Sequence, residues 1–285
     1  MSASLTGVAK HTICGWLGYT RQAHHRARRR RHARAVDAEF VVQLTHQIRQ
    51  RAGARLGAGK VFAEARGELK ALGIKCGRDR LYDILRAGGL LLAPKKSRVR
   101  TTDSSAWMRQ FDDLRADFVP TGPDQLWVAD ITYVKCAERK LYLSLITDAY
   151  ARKIVGWRLH ADLSTAGCSR ALEAALRGRV RPRNRIIHHS DRGCQYCSRA
   201  YVRTLRSHGL RISTTQNGSP YENPLAESVN GQLKVEYDLD QVYATETEAR
   251  AAVAEAIAKY NEYRPHGALG GRKPSQLYTV HPEAG

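Results

Sequence analysis

The stretch from Gln125 to Leu159 limits the possible folds more than any other part of the chain, because its apolar residues keep a period of two. Gln125 to Cys136 alternates, Glu138-Arg139 makes a turn, and Leu141 to Thr147 and Ile154 to Leu159 are two further apolar runs. Alternation puts successive side chains on opposite faces, so three such runs joined by short turns predict an antiparallel meander. A helix (Thr165 to Leu176), a strand (Arg185 to His189), a helix (Gln195 to Ser207), a strand (Leu210 to Thr214) and two closing helices (224–235 and 246–263) are expected to follow. The order β-β-β-α-β-α-β-α-α predicts an α/β fold with a mixed sheet flanked by helices. No internal repeat is present.

The first hundred residues obey a different logic. They hold 22 Lys and Arg against 6 Asp and Glu, whereas residues 101–285 hold 25 against 21, and the whole chain carries +20. Such an excess predicts a polyanionic partner. Arg28, Arg29, Arg30 and Arg31 lie in a run whose only apolar residues are alanines, suited either to neutralising phosphates or to a solvated linker. Phe40, Val41, Leu44 and Ile48, then Val61 to Leu72 closed by Gly73, then Leu81 to Leu85 stopped by Gly88-Gly89, predict three helices. Arg78 and Arg80 around the last of these favour a DNA-binding helix-turn-helix, although periodicity fits a plain three-helix bundle equally. A polar, turn-rich stretch from Pro94 to Ser105 reads as a linker, followed by a short amphipathic helix (Trp107, Phe111, Leu114, Phe118). No apolar run approaches the roughly 20 residues of a membrane span, and the N-terminus lacks the pattern of a secretory signal, so a cytoplasmic location is expected. Six scattered cysteines suit packing better than disulfides, and the single Cys194-x-x-Cys197 pair lacks the second pair of a zinc site.

Three carboxylates are unusual for their position. Asp130 interrupts the apolar strand Trp127 to Val134, where a charge gains no packing. Asp191 directly follows the strand ending in His188-His189-Ser190, at an edge where sheet proteins place ligands. In Asn223-Pro224-Leu225-Ala226-Glu227, Asn223 suits a helix N-cap and Pro224 the first helical position, which puts Glu227 at the end of the first turn and leaves Glu222 in the loop. Asn230 and Lys234 share the face of Glu227 and could meet a phosphate. Taken singly, the aspartates could be turn or capping residues, and Glu227 could merely complement the helix dipole. Taken together they need a neutralising cation. Hard oxygen ligands suit Mg²⁺ or Mn²⁺, and two such ions would serve an in-line phosphoryl transfer on DNA.

Thirty-five residues separate Asp191 from Glu227. With Asp130 on the first strand of the meander, that spacing resembles the DDE transposase and retroviral integrase superfamily, whose catalytic domain is RNase H-like. More narrowly, the chain is similar to the OrfB transposase of bacterial insertion sequences of family three, through Cys14 to Ala23, Trp127 to Thr132, Asp148 with Arg152 to Trp157, His189 to Gly193, Gln195-Tyr196, Glu227-Ser228 with Gly231, Leu233 and Lys234, and Tyr260-Asn261 with Arg264-Pro265-His266 and Pro274. Family members more often have an aspartate where this chain has Glu222, and bulkier residues where it has Val229-Asn230.

The resemblance implies an RNase H-like sheet preceded by an all-α helix-turn-helix module. It implies a basic segment over 1–35, the helix-turn-helix over 36–93, the linker and short helix over 94–123, and a catalytic domain over 124–285. It makes Asp130, Asp191 and Glu227 the metal-binding catalytic triad and gives Asp148 a structural role. It implies element-end and target DNA as substrates, an OrfA-type partner protein, a homo-oligomer and a nucleoid-associated location. A catalytically inactive, transposase-derived repressor and a nuclease that cuts without joining are the competing readings.

Overall fold

The computed structural model describes residues 18, 20–92, 111–181, 185–216 and 222–279. The chain separates into two compact units, one built from residues up to 47 with 65–91 and the other from 48–64 with the chain beyond 92. In the first unit the described part is helical. It comprises most of α1 (Arg21–Ala52), the end of α2 (Ala58–Ala71) and α3 (Arg78–Ala87), with Val41, Leu44, Leu69, Leu81 and Leu85 buried. The basic tract is thus continuous with the first of the three expected helices. Within this unit Arg80 donates to the Lys75 carbonyl at 2.6 Å and pairs with Asp37 at 3.3 Å, while Arg78 is largely exposed beside Asp79. Arg29 is exposed, and the side chains of Arg28, Arg30 and Arg31 lie outside the described set, as do residues 1–17 and 93–110.

The second unit is a mixed sheet between two helical layers. Its strands are β1 (Leu126–Cys136), β2 (Lys140–Asp148), β3 (Ile154–His160), β4 (Ile187–Ser190), β5 (Arg211–Thr214) and β6 (Val242–Tyr243). The order is β3-β2-β1-β4-β5, with β6 pairing the far end of β1. β1, β2 and β3 form the expected antiparallel meander, while β4 lies parallel to both β1 and β5. On one face Trp127, Ala129 and Ile146 pack against α4 (Thr165–Gly178) and α5 (Arg199–Ser207). On the other, Val134, Leu141, Leu143 and Leu145 meet α6 (Pro224–Glu236) and α7 (Glu246–Tyr263). The alternation along β1 therefore puts Asp130, which shares the parity of Val134, on the α6 side. A one-turn 3₁₀ helix (Gly267–Leu269) and the short α8 (Pro274–Leu277) complete the unit. Among the described residues no helix is long and apolar enough to cross a membrane.

The amphipathic helix expected around Trp107 to Phe118 is not formed over 111–120, where the chain is extended and turned. Tertiary bonds replace the helical ones. Phe111 exchanges hydrogen bonds with the Thr214 hydroxyl, and the Leu114 amide donates to Ser213 Oγ at 2.9 Å. Satisfying those amides on the edge of β5 removes the incentive to coil, whatever the apolar spacing suggests.

Asp148 closes β2 as a backbone clamp. Its carboxylate accepts the amides of Asp124 at 2.8 Å and Ala151 at 2.7 Å, and burial raises its pKa to about 7. The sheet also approaches α4 so closely that Gly156 has no room for a side chain. A Cβ there would lie 2.2 Å from the Ala171 carbonyl oxygen and 2.9 Å from the Ala175 amide nitrogen. Backbone cannot step aside as a flexible side chain can. Gly156→Ala should therefore cost at least the upper end of the roughly 1–3 kcal/mol typical of overpacking, read as a lower urea midpoint at unchanged m-value.

Candidate active site

The parallel pairing of β1 with β4 runs from Leu126 opposite Ile187 to Ala129 opposite Ser190. Asp130, still within β1, and Asp191, the first residue after β4, each follow the last of these pairs, so the two continue neighbouring positions on adjacent strands. Asp130 is 5% exposed. Its Oδ1 accepts the Ile131 amide at 2.9 Å, and its Oδ2 accepts Asn230 Nδ2 at 2.6 Å. Asp191 turns back on its own loop, with Oδ1 accepting the Gly193 amide at 3.0 Å. A Cβ on Gly193 would stand 2.9 Å from that same oxygen, so a side chain there would shift the Asp191 carboxylate. The Tyr196 hydroxyl is pushed well above its ordinary pKa, chiefly by burial, with the charges of Asp130 and Asp191 both contributing. Both aspartates therefore bear on one region of the protein.

Glu227 comes to this region on α6. The helix begins as the sequence predicts, with Asn223 as N-cap and Pro224 in the first turn. The Asn223 side chain does not cap, however; it donates to the Ala129 carbonyl at 3.1 Å, pinning the start of α6 to β1 beside Asp130. A second tie comes from His189. Its Nε2 donates to the Glu222 carbonyl at 3.0 Å and its Nδ1 accepts from Ser213 Oγ at 2.8 Å, while burial lowers its pKa and favours the neutral ring those bonds require. Helical spacing places Glu227 one turn before Asn230, on the face that touches Asp130.

Asn230 is 8% exposed with its amide committed to Asp130, and its Oδ1 is buried without a partner. Sequence reasoning placed it on this face but read it as a phosphate contact, because nothing in the residue order shows that α6 packs Asn230 inward. Lys234, two turns beyond Glu227, is partly exposed. Arg78 and Arg80 belong to the helical unit.

Among the described residues no three His, Cys, Asp or Glu side chains stand close enough to hold a metal ion. Three carboxylates are nevertheless the donor set that a hard divalent ion takes. The Cys194 and Cys197 thiols likewise belong to no metal-holding group.

This arrangement has known counterparts. The Integrase core domain family matches residues 120–220, and a second Integrase core domain family matches 208–274. The transposase for insertion sequence element IS629 of Shigella sonnei is 33% identical over 260 residues, which is 91% of this chain and 85% of that protein. Transposase InsF for insertion sequence IS3A of Escherichia coli is 39% identical over 165 residues, covering 58% of this chain and 57% of its own length. A chain from the simian T-cell lymphotropic virus intasome, solved in complex with PP2A regulatory subunit B56 gamma, shares the fold with a TM-score of 0.50 at 16% identity, over 87% of this chain and 76% of that one. With one relative matched along most of both lengths and both integrase-core matches falling on the sheet and helices that carry the three carboxylates, the chain belongs to the IS3 family of DDE transposases built on an integrase core.

Proposed function

We propose that this transposase uses Asp130, Asp191 and Glu227 to cleave DNA at the ends of its insertion sequence and to join the freed 3′-hydroxyl to target DNA. The supporting observation is the register in which Asp130 and Asp191 each follow the last pair between adjacent strands, with α6 bonded to Asp130 one turn after Glu227. Those carboxylates would hold two Mg²⁺ or Mn²⁺ ions, which when bound supply Lewis-acid stabilisation of the attacking and leaving oxygens. In cleavage, water oxygen bonds to phosphorus as the P–O3′ bond breaks and the strand keeps its 3′-hydroxyl. In joining, that hydroxyl oxygen bonds to a target phosphorus, its proton is lost, and a target 3′-oxygen leaves. The protein side chains bind and orient throughout, and no covalent link to them is needed.

The remaining parts support substrate handling. Lys234 would steady DNA near Glu227. Residues 1–35, with Arg28 to Arg31, and the helix-turn-helix of 36–93, with Arg78 and Arg80, would grip the duplex by its phosphates. Assembly as a homo-oligomer would let two element ends be handled together, and an OrfA-type protein would add end recognition. Incubating the purified protein with labelled element-end DNA, target DNA and Mg²⁺ tests the proposal, with joined products expected. Hydrolysis alone would favour a nuclease, and a shift without chemistry a repressor.

Asn230 holds Asp130 rather than DNA in this reading. Asn230→Ala should lower joining about 10- to 100-fold, the usual cost of removing a group that orients a metal ligand, and should raise the Mn²⁺ concentration needed for half-maximal rate while element-end binding stays unchanged in gel shift.

A further inference from the structure

A cavity of about 480 Å³ opens between the first half of β1 and the start of α6. Its wall includes Val128, two residues before Asp130 and on the same side of β1, and Asn223, Pro224 and Leu225 at the start of α6. Three guanidinium groups, Arg115, Arg152 and Arg272, line it, and no acidic side chain does among the described residues. Arg115 gives one nitrogen to Asp113 at 3.3 Å, and Arg272 gives Nε to the Leu269 carbonyl at 3.2 Å. The Nε atoms of Arg115 and Arg152 are buried without a hydrogen-bond acceptor. Arg152 also sits at φ 60°, in the left-handed region that a side chain of this kind seldom adopts. Three guanidinium groups on a wall that carries no acidic side chain suit an anion.

The rest of the wall is apolar and partly aromatic, with the rings of Phe118 and Tyr150 beside aliphatic side chains. A bare phosphate would not use that surface, and an apolar peptide would leave the guanidinium groups of Arg152 and Arg272 without a counter-charge on the wall. A nucleotide uses both, because its base stacks on aromatic and aliphatic side chains while its phosphate takes the guanidinium donors. The volume falls within the roughly 300–1,000 Å³ of pockets that enclose one small ligand, and it is far too small for a duplex. We infer that this cavity receives a single nucleotide unstacked from the element end, holding the strand beside the carboxylates. The inference rests on the function proposed above and adds a separate binding step to it.

Flipping a nucleotide out costs a few kcal/mol of stacking and pairing, and it is visible as the brightening of 2-aminopurine when neighbouring bases leave it. Full-length protein would be mixed with element-end duplexes carrying 2-aminopurine at one terminal position at a time. A several-fold rise at one position is expected, retained in Asp130→Asn, which keeps the cavity. The rise should be lost in Ala268→Trp, where an exposed residue of the cavity wall is enlarged to fill it, and reduced in Arg115→Gln. Gel shift of each variant on the same duplex shows that the protein still binds. Joined products with no position brightening, or a rise that Ala268→Trp leaves intact, would overturn the pocket while leaving the proposed function standing. A protein that neither cuts nor joins the ends would remove both.

Discussion

Asp130→Asn should abolish cleavage and joining, by at least about 10³-fold or 4 kcal/mol of transition-state stabilisation, while element-end binding stays within a factor of two. The amide keeps the size of the carboxylate and can still accept the Ile131 amide, so the β1 backbone has no reason to move. What it loses is the negative charge that attracts a divalent ion. With its oxygen kept on the Ile131 amide, its NH₂ group meets Asn230 Nδ2, a mismatch relieved when the Asn230 amide flips and offers its Oδ1. The variant thus separates the proposed metal-dependent reaction from DNA affinity, which the proposed arginine contacts would supply. Labelled-end cleavage and gel shift on one preparation measure both, and residual cleavage above 10% of wild type would remove Asp130 from the chemistry.

The largest stability effect is expected far from the carboxylates, at the other end of α6. Glu236 is 8% exposed and receives Arg264 through both oxygens, at 2.7 and 3.0 Å, together with the ammonium of Lys60. Its backbone carbonyl accepts the Arg55 amide at 3.2 Å, and Arg264 Nη1 donates to His266 Nε2 at 2.9 Å. The carboxylate therefore joins α6 to the chain following α7 and to the start of α2, all within the sheet-containing unit. Glu236→Ala leaves Arg264 buried without its counter-charge, which should cost about 3–5 kcal/mol, seen in urea unfolding.

The same cluster sets a pH dependence. Although burial opposes it, Arg264 and Lys60 hold the Glu236 carboxyl below its ordinary range. Burial, with Arg264 next, lowers His266 to about 3, and burial lowers His188 to about 3. All three groups bind protons more readily in the unfolded chain. The stability they provide is complete above about pH 6.5, the free imidazole value, and falls as the pH drops toward 3. Asp148, raised to about 7, has the opposite sign, with stability present below about pH 4 and lost as the pH rises through 7. Chemical unfolding at pH 4.5 against pH 6.5 should show the net loss on the acid side, with Glu236→Ala flattening it.

Much of the second unit was legible because its sheet keeps strict alternation. The meander, the parallel strand before Asp191, and the start of α6 at Asn223-Pro224 all lie within a few residues of where periodicity and capping put them. Other features depend on tertiary partners. The 111–120 strap carries helical apolar spacing but bonds to Ser213 and Thr214, about a hundred residues away. The two-residue β6 is too short for any periodicity. At the site, the residue types and spacing mark Asp130, Asp191 and Glu227 as unusual, yet the bonds from Asn223 to β1 and from Asn230 to Asp130 span ninety or more residues. Nor could composition reveal that Ile48–Glu64 belongs with the sheet rather than with the helices on either side, since Glu236 reaches that segment only through the fold.

Anomalous diffraction from crystals of the protein with Mn²⁺ and a pre-cut element end, recorded at the manganese edge, would locate the ions directly. Two peaks about 3.5–4 Å apart, with oxygens of Asp130, Asp191 and Glu227 as their protein ligands, are the expected result. Manganese bound elsewhere at saturating concentration, with Glu227 turned away from both aspartates, would contradict it.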